Sequence, residues 1–261
     1  LRALDAVRDR AGQPQASWLP MRFPPVAAIL LPALTNFEHQ NMNALLLALI
    51  AAATWQMTLG FATAAGILVG IATALKIFPA FLILYFVARR YWTAAMAAIV
   101  STIVLSVAPL VIYGAGFTDL VKTFWRLGNS GWPIRGNNQS LIAALDRLTL
   151  GLASAKVDAA GVRDAAAAPL TLALCAACAF LLFAALVVVI SRTPRRPRSI
   201  PCEMAMVTTL AILCSPIAWD HYWLIMFPAF VIAYDASDAK LLGRAGSWAF
   251  WSAAILTTGL S

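Results

Sequence analysis

From Trp92 to Tyr113 the chain runs through 22 residues without a charged side chain, and Ala165–Ile190 does so again. As a helix, a stretch of this length reaches ~30 Å or more, about the thickness of a bilayer's hydrocarbon core. Nothing else constrains the fold so strongly. In lipid every backbone N–H and C=O must find its partner within the protein, which leaves helices and closed barrels. A barrel requires alternating apolar and polar residues, whereas these runs are continuous and rich in Ala and Leu. Only 11% of the 261 residues are charged and 62% are hydrophobic, against about 25% charged in a soluble domain. The expectation is an all-α, polytopic transmembrane helical bundle. It forms a single transmembrane domain over residues 1–261, with the membrane lipid bilayer as its first partner.

The net charge of +8 does not point to nucleic acid, because the basic residues are not gathered on one polar domain. They sit in short clusters between apolar runs, as cytoplasmic loops do. Placing residues 1–22, Arg89–Arg90, Arg192–Arg198 and Asp235–Arg244 in the cytosol puts 12 of the 19 basic residues there; the loop Gly114–Asp164 holds six and Lys76 is the last. His39–Asn43, Lys76, Trp132–Ser140 and Asp220–His221 then converge on the extracytoplasmic face. Cys175 and Cys178 form a C-x-x-C inside an apolar run with no second pair, so packing is the reading, and no metal or cofactor is expected.

Several pieces are short or broken. Phe23–Phe37 carries Pro24, Pro25 and Pro32. Residues 59–88 would make one helix of ~45 Å, too long for a core of ~30 Å. Two segments, Gly60–Leu75 and Ile77–Ala88, turning at Lys76 are expected; the alternative is one tilted, kinked helix with Lys76 snorkelling or facing a water-filled cavity. After Ser140, Leu141, Ile142, Leu145 and Leu148 share one helical face, with Asp146 and Arg147 opposite. That is the pattern of an interfacial helix on the extracytoplasmic side. Gly246–Leu260 is a last apolar run.

One stretch, Leu213–Trp223, sets Asp220 and His221 between two apolar segments. Ionisable groups so placed are expensive to desolvate and mark function. Pro216 ends any helix arriving from before it, and Trp219, Tyr222 and Trp223 suit a membrane–water boundary. A lipid-phosphate substrate would need a cation, amides for a sugar, and a proton-handling group. Lys76 and Arg135 can bind phosphate. Gln40, Asn43, Asn138, Gln139 and Ser140 can bind hydroxyls. His221, supported by Asp220, can shuttle or orient a proton. The structural alternatives are that Gln40 and Asn43 satisfy a broken helix end, and that Asn138 and Ser140 cap the interfacial helix.

Ser215-Pro-Ile-Ala-Trp-Asp-His-Tyr-Trp223 resembles the Ser-Pro-x-(Ser/Ala)-Trp-Asp-His-His-Trp signature of bacterial glycosyltransferase family 87. His39-Gln-Asn-Met-Asn43 resembles that family's Gly-Gln-x-Asn, and Ala65-Gly66 through Lys76-Ile-Phe-Pro79 its Ala-Gly…Lys-x-x-Pro stretch. Arg89-Arg90-Tyr-Trp92 resembles its following basic pair, and Gly136-Asn-Asn-Gln-Ser-Leu141 its Gly-Asn-x-Ser loop. His39 departs from the usual Gly, and Tyr222 from a second His.

The resemblance implies a GT-C bundle in the bacterial cytoplasmic (inner) membrane. It implies an enzyme moving a sugar, mannose above all, from a polyprenyl-phosphate-linked donor to a glycolipid or glycan acceptor on the extracytoplasmic face. It also implies a carboxylate base in a first extracytoplasmic loop; that base and its spans are expected ahead of Leu1. No nucleic acid or nucleotide partner is expected. The competing readings are a transporter or flippase of a lipid-linked substrate, and a non-catalytic membrane subunit.

Overall fold

The structure, a computed structural model, describes residues 23–39, 41–114, 116, 118–119, 121–122, 138, 140–150, 169–197, 199–215, 218, 220–238, 243–244, 246 and 248. Within them the chain forms α1 (Phe23–Glu38), α2 (Asn43–Thr58), α3 (Ala62–Leu75), α4 (Ala80–Ala88) and α5 (Trp92–Tyr113). It continues with α6 (Leu141–Leu150), α7 (Pro169–Arg192), α8 (Ile200–Leu213), a 3-10 helix (Asp220–Met226) and α9 (Phe227–Asp238). Among the described residues two helices, α5 and α7, are long and apolar enough to cross a membrane. Both are mostly exposed along their apolar length: Val104, Val111 and Ile112 on α5 and Phe180 and Leu181 on α7 face outward.

The chain does break at Lys76. Pro79 would drive its ring into the carbonyl of Leu75 if the helix continued, and α3 ends at Leu75. Lys76 is extended (φ −147°, ψ 139°) with its N–H bonded to the Ala72 carbonyl. α4 restarts at Ala80 and runs back toward the Arg89–Arg90 turn. The single tilted helix is ruled out.

α3 and α5 lie parallel. A Cβ on Gly66 would overlap the backbone of Ala94 and the Ala97 methyl, and one on Gly70 would fall 2.5 Å from Ser101 Cβ and 2.7 Å from the Ala98 carbonyl oxygen. Four residues along α3 thus match four along α5. Gly66-Ile-Leu-Val-Gly70 is a G-x-x-x-G face, which lets two backbones close up where lipid supplies no hydrophobic drive. The Thr102 hydroxyl reaches the Gly70 carbonyl at 3.3 Å across the seam. In this register Lys76 comes level with about Ser106, ~21 Å from Trp92 and ~10 Å short of Tyr113 at 1.5 Å per residue.

The opposite end is pinned by a buried ion pair. Arg89 Nε donates to Glu203 Oε2 at 2.9 Å, and Tyr85 Oη donates to the same oxygen at 2.9 Å. Arg89 Nη1 also donates to the carbonyls of Ile190 (3.0 Å) and Thr193 (2.9 Å), which close the C-terminus of α7. Arg89 and Glu203 are both buried. The first of the expected boundary arginines is therefore an internal strut, while Arg90 stays exposed. Because Arg89 meets the end of α7, Arg89–Arg90 and Arg192–Arg196 share one end of the bundle, as their charge pattern predicts.

α8 leads from that basic end to the opposite one. Its 14 residues cover ~21 Å, the same depth as Lys76. It stops at Leu213, ahead of Pro216, which lies outside the described residues along with Ile217 and Trp219. Also outside are residues 1–22, most of 115–137, residues 151–168 and most of the last apolar run. Shared core packing joins Leu46, Ile50, Val69, Leu82, Phe86, Met204, Ile212 and Ile225.

Candidate functional site

Three helix ends meet at the depth of Lys76: the start of α2, the end of α3 and the 3-10 helix. Two asparagines organise them. The Lys76 ammonium donates to Asn41 Oδ1 at 3.1 Å and to Asn43 Oδ1 at 2.8 Å. Asn43 Nδ2 donates to the His221 main-chain carbonyl at 3.0 Å, and Asn41 Nδ2 lies 3.0 Å from His221 Nε2. Each amide thus spans from the cation to the elbow.

This arrangement fixes the imidazole's protonation. An ammonium can only donate, so the Asn41 atom facing Lys76 is its oxygen, and the amide N–H₂ must face His221. Nε2 therefore accepts, and a neutral His221 carries its proton on Nδ1. His39 is set similarly: its Nδ1 lies 2.9 Å from the Thr35 carbonyl, which can only accept. The two imidazoles stack at 5.5 Å. His221 is buried and His39 exposed, so the pair runs from the interior to the surface.

The ring of Tyr222 completes the floor, with Lys76 Nζ 4.0 Å from its centroid. Lys76 and Tyr222 are both half-buried, so the contact gains about 1 kcal/mol. Phe78 backs that ring at 6.0 Å. Two amide oxygens and an aromatic face are all neutral. These described contacts orient the ammonium and leave its charge available to an anion.

Of the residues singled out from sequence, Lys76, Asn43 and His221 meet directly. Asp220 opens the 3-10 helix. Asn138 and Ser140 meet the elbow from another side: Asn138 Oδ1 accepts from the Ser140 N–H at 3.0 Å and the Ala218 N–H at 3.1 Å. Ser140 Oγ accepts from the Ala143 N–H at 3.3 Å, as an N-cap of α6 does. Gln40, Arg135 and Gln139 lie outside the described residues. Asn41 and Tyr222 carry contacts that the sequence reading did not assign to them. Their only signal was position: each sits between chosen residues, in a motif read for its other members.

Among the described residues, an all-helical fold with two helices long and apolar enough to cross a membrane, and an oriented cation where short helices end, is the class these features define. The chain belongs to glycosyltransferase family 87, whose sequence profile matches residues 1–216. That span includes Asn41, Asn43 and Lys76 and stops before His221. One relative is a polyprenol-phosphate-mannose-dependent alpha-(1-2)-phosphatidylinositol pentamannoside mannosyltransferase of Mycobacterium tuberculosis (strain CDC 1551 / Oshkosh). It is 29% identical over 228 residues, 84% of this chain and 47% of that protein. Another is a polyprenol-phosphate-mannose-dependent alpha-(1-2)-phosphatidylinositol mannoside mannosyltransferase of Mycolicibacterium smegmatis, 27% identical over 242 residues, 91% of this chain and 50% of that protein. The chain spans about half the length of the curated relatives it matches. No solved structure matches it.

Proposed function

We propose that this chain is part of a membrane mannosyltransferase using a polyprenyl-phosphate-mannose donor. The acceptor is a hydroxyl of a glycolipid or glycan, on the extracytoplasmic face of a bacterial inner membrane. The observation that carries the reading is the Lys76 ammonium, held by Asn41, Asn43 and Tyr222. In the reaction the acceptor oxygen attacks the anomeric carbon as the sugar–phosphate bond breaks, and the electron pair leaves with the polyprenyl phosphate. Lys76 meets the charge that grows on the departing phosphate, an effect that commonly supplies the largest share of rate. Arg135 is a second candidate cation, and Gln40 and Gln139 are candidate sugar contacts.

His221 Nε2 is occupied by Asn41 here, so its role in this arrangement is to hold that amide against Lys76. The acceptor proton then goes to a carboxylate base, as the family resemblance implies. The scheme takes no cofactor or metal, and it rests on the GT-C bundle with α6 at the interface.

Transfer of radiolabelled mannose from polyprenyl-phosphate-mannose to membrane acceptors tests the reading. The comparison is this chain, the chain joined to its upstream sequence, and His221→Ala in the joined form. Transfer by the joined form, lost with His221→Ala, upholds it; no transfer from any lipid-phosphate sugar sinks it.

A second reading has one observation in its favour. Lys76 lies ~10 Å inside the far end of α5 by helical rise, where transporters also keep polar groups. Translocation of a lipid-linked sugar across vesicles without transfer would favour that reading.

A further inference from the structure

Below the polar cluster lies an apolar cavity of about 470 Å³ between α2, α8 and α9. Leu47 and Ile225 both line it. Leu47 sits one α-helical turn after Asn43, and Ile225 one 3-10 turn after Tyr222, so each lies ~6 Å beneath a contact of Lys76. From there the cavity follows α2 past Ala51 and Thr54 to Thr58, a further ~16 Å by helical rise. At that end Pro201 of α8 also lines it, two residues from Ser199 at the basic end of the bundle. The cavity is thus a slot with a cation at its head and apolar walls along the membrane's depth.

We propose that this slot holds the isoprenoid chain of a polyprenyl phosphate whose phosphate sits at Lys76. The inference rests on the functional reading above and adds where the lipid lies. The geometry selects the lipid type. In a polyprenyl phosphate the hydrocarbon begins at the phosphate oxygen, so apolar walls can start one turn from the cation. A glycerophospholipid would bring two ester groups to the mouth, where Leu47 and Ile225 offer no side-chain donor, and burying polar groups without partners is costly. Small side chains at Ala51, Ala205 and Ala229 leave room for a methyl-branched chain. Ala51 is exposed, so the slot is open where a tail could enter sideways from the bilayer.

The test uses the protein in lipid nanodiscs and a polyprenyl phosphate carrying a diazirine on its isoprenoid chain. After irradiation, crosslinks should map to α2, α8 and α9. Excess unlabelled polyprenyl phosphate should compete them away, and excess phosphatidylinositol should not. Ala51→Trp, at an exposed position the fold tolerates, should weaken polyprenyl phosphate binding about tenfold and leave dimethylallyl phosphate, which reaches only Lys76, bound as before. Ala205→Leu, filling the opposite wall, should act in the same sense. Crosslinks scattered over the outer faces of α5 and α7, competition by phosphatidylinositol, or equal loss of long and short phosphates would overturn the slot while leaving the phosphate site standing. If neither phosphate binds and Lys76→Met matches wild type, the functional reading falls, and the slot with it.

Discussion

Asn43 accepts the Lys76 ammonium at 2.8 Å through one end of its amide and, through the other, donates to the carbonyl of His221 at 3.0 Å. One buried side chain therefore sets both the direction of the cation and the distance to the elbow. Asn43→Leu leaves a cation and a carbonyl short of a partner, and should lower stability by about 1–3 kcal/mol. Asn43→Asp keeps the shape but neutralises the ammonium and removes the donor to His221. Donor KM should rise at least about tenfold while the protein still folds. Thermal unfolding in detergent and steady-state transfer separate the two effects.

Lys76→Met should lower kcat by roughly 10²–10³, the usual loss when a charge-stabilising group is removed. Lys76→Arg should recover only part of it. The guanidinium brings a charge of the right sign but a planar fork that two amide oxygens spaced for an ammonium do not match. Transfer assays at saturating donor read the result; full activity in Lys76→Met would remove this residue from the mechanism.

Breaking the Arg89–Glu203 pair from one side should be far worse than removing both. Arg89→Met or Glu203→Leu alone leaves a buried charge unpaired, at about 3–5 kcal/mol. The double variant should regain part of that loss, short of all because Arg89 also closes α7. A double-mutant cycle on thermal unfolding gives the coupling; additive losses would show that the two charges act independently.

Gly66→Leu and Gly70→Leu should each destabilise by about 1–3 kcal/mol or more, because the seam between α3 and α5 holds no space for a side chain. Protease resistance in membranes checks this. The same substitution at Gly60, where a Cβ meets nothing within 4 Å, should spare the seam and act only through its positive φ of 87°.

Much of the bundle was legible from local chemistry. Trp92–Tyr113 matches α5 end to end, because the absence of charges in lipid leaves one solution. The break at Lys76 followed from Pro79 and from helix length. The meeting of His39, Asn41, Asn43, Lys76 and His221 followed from the sidedness of charge. What stayed hidden depended on partners far apart in sequence. Arg89 read as a boundary cation because Glu203, 114 residues on, carries no local mark of pairing. The parallel seam was written in Gly66 and Gly70, but the partner helix and register were not. Tyr222 read as an interface anchor, and only its place beneath Lys76 gives it another role.

The separation of Arg89 from Glu203 also bears on how the chain is made. A ribosome adding about 5–20 residues per second needs roughly 6–23 s to cover the 114 residues between them. For most of that interval the arginine has neither its carboxylate nor the α7 carbonyls it will bind, which follow it by 101 and 104 residues. The Arg89 end of the α3–α4 hairpin therefore completes its buried contacts only once α8 is in place. Completion of the nascent bundle is then timed by the emergence of a single glutamate.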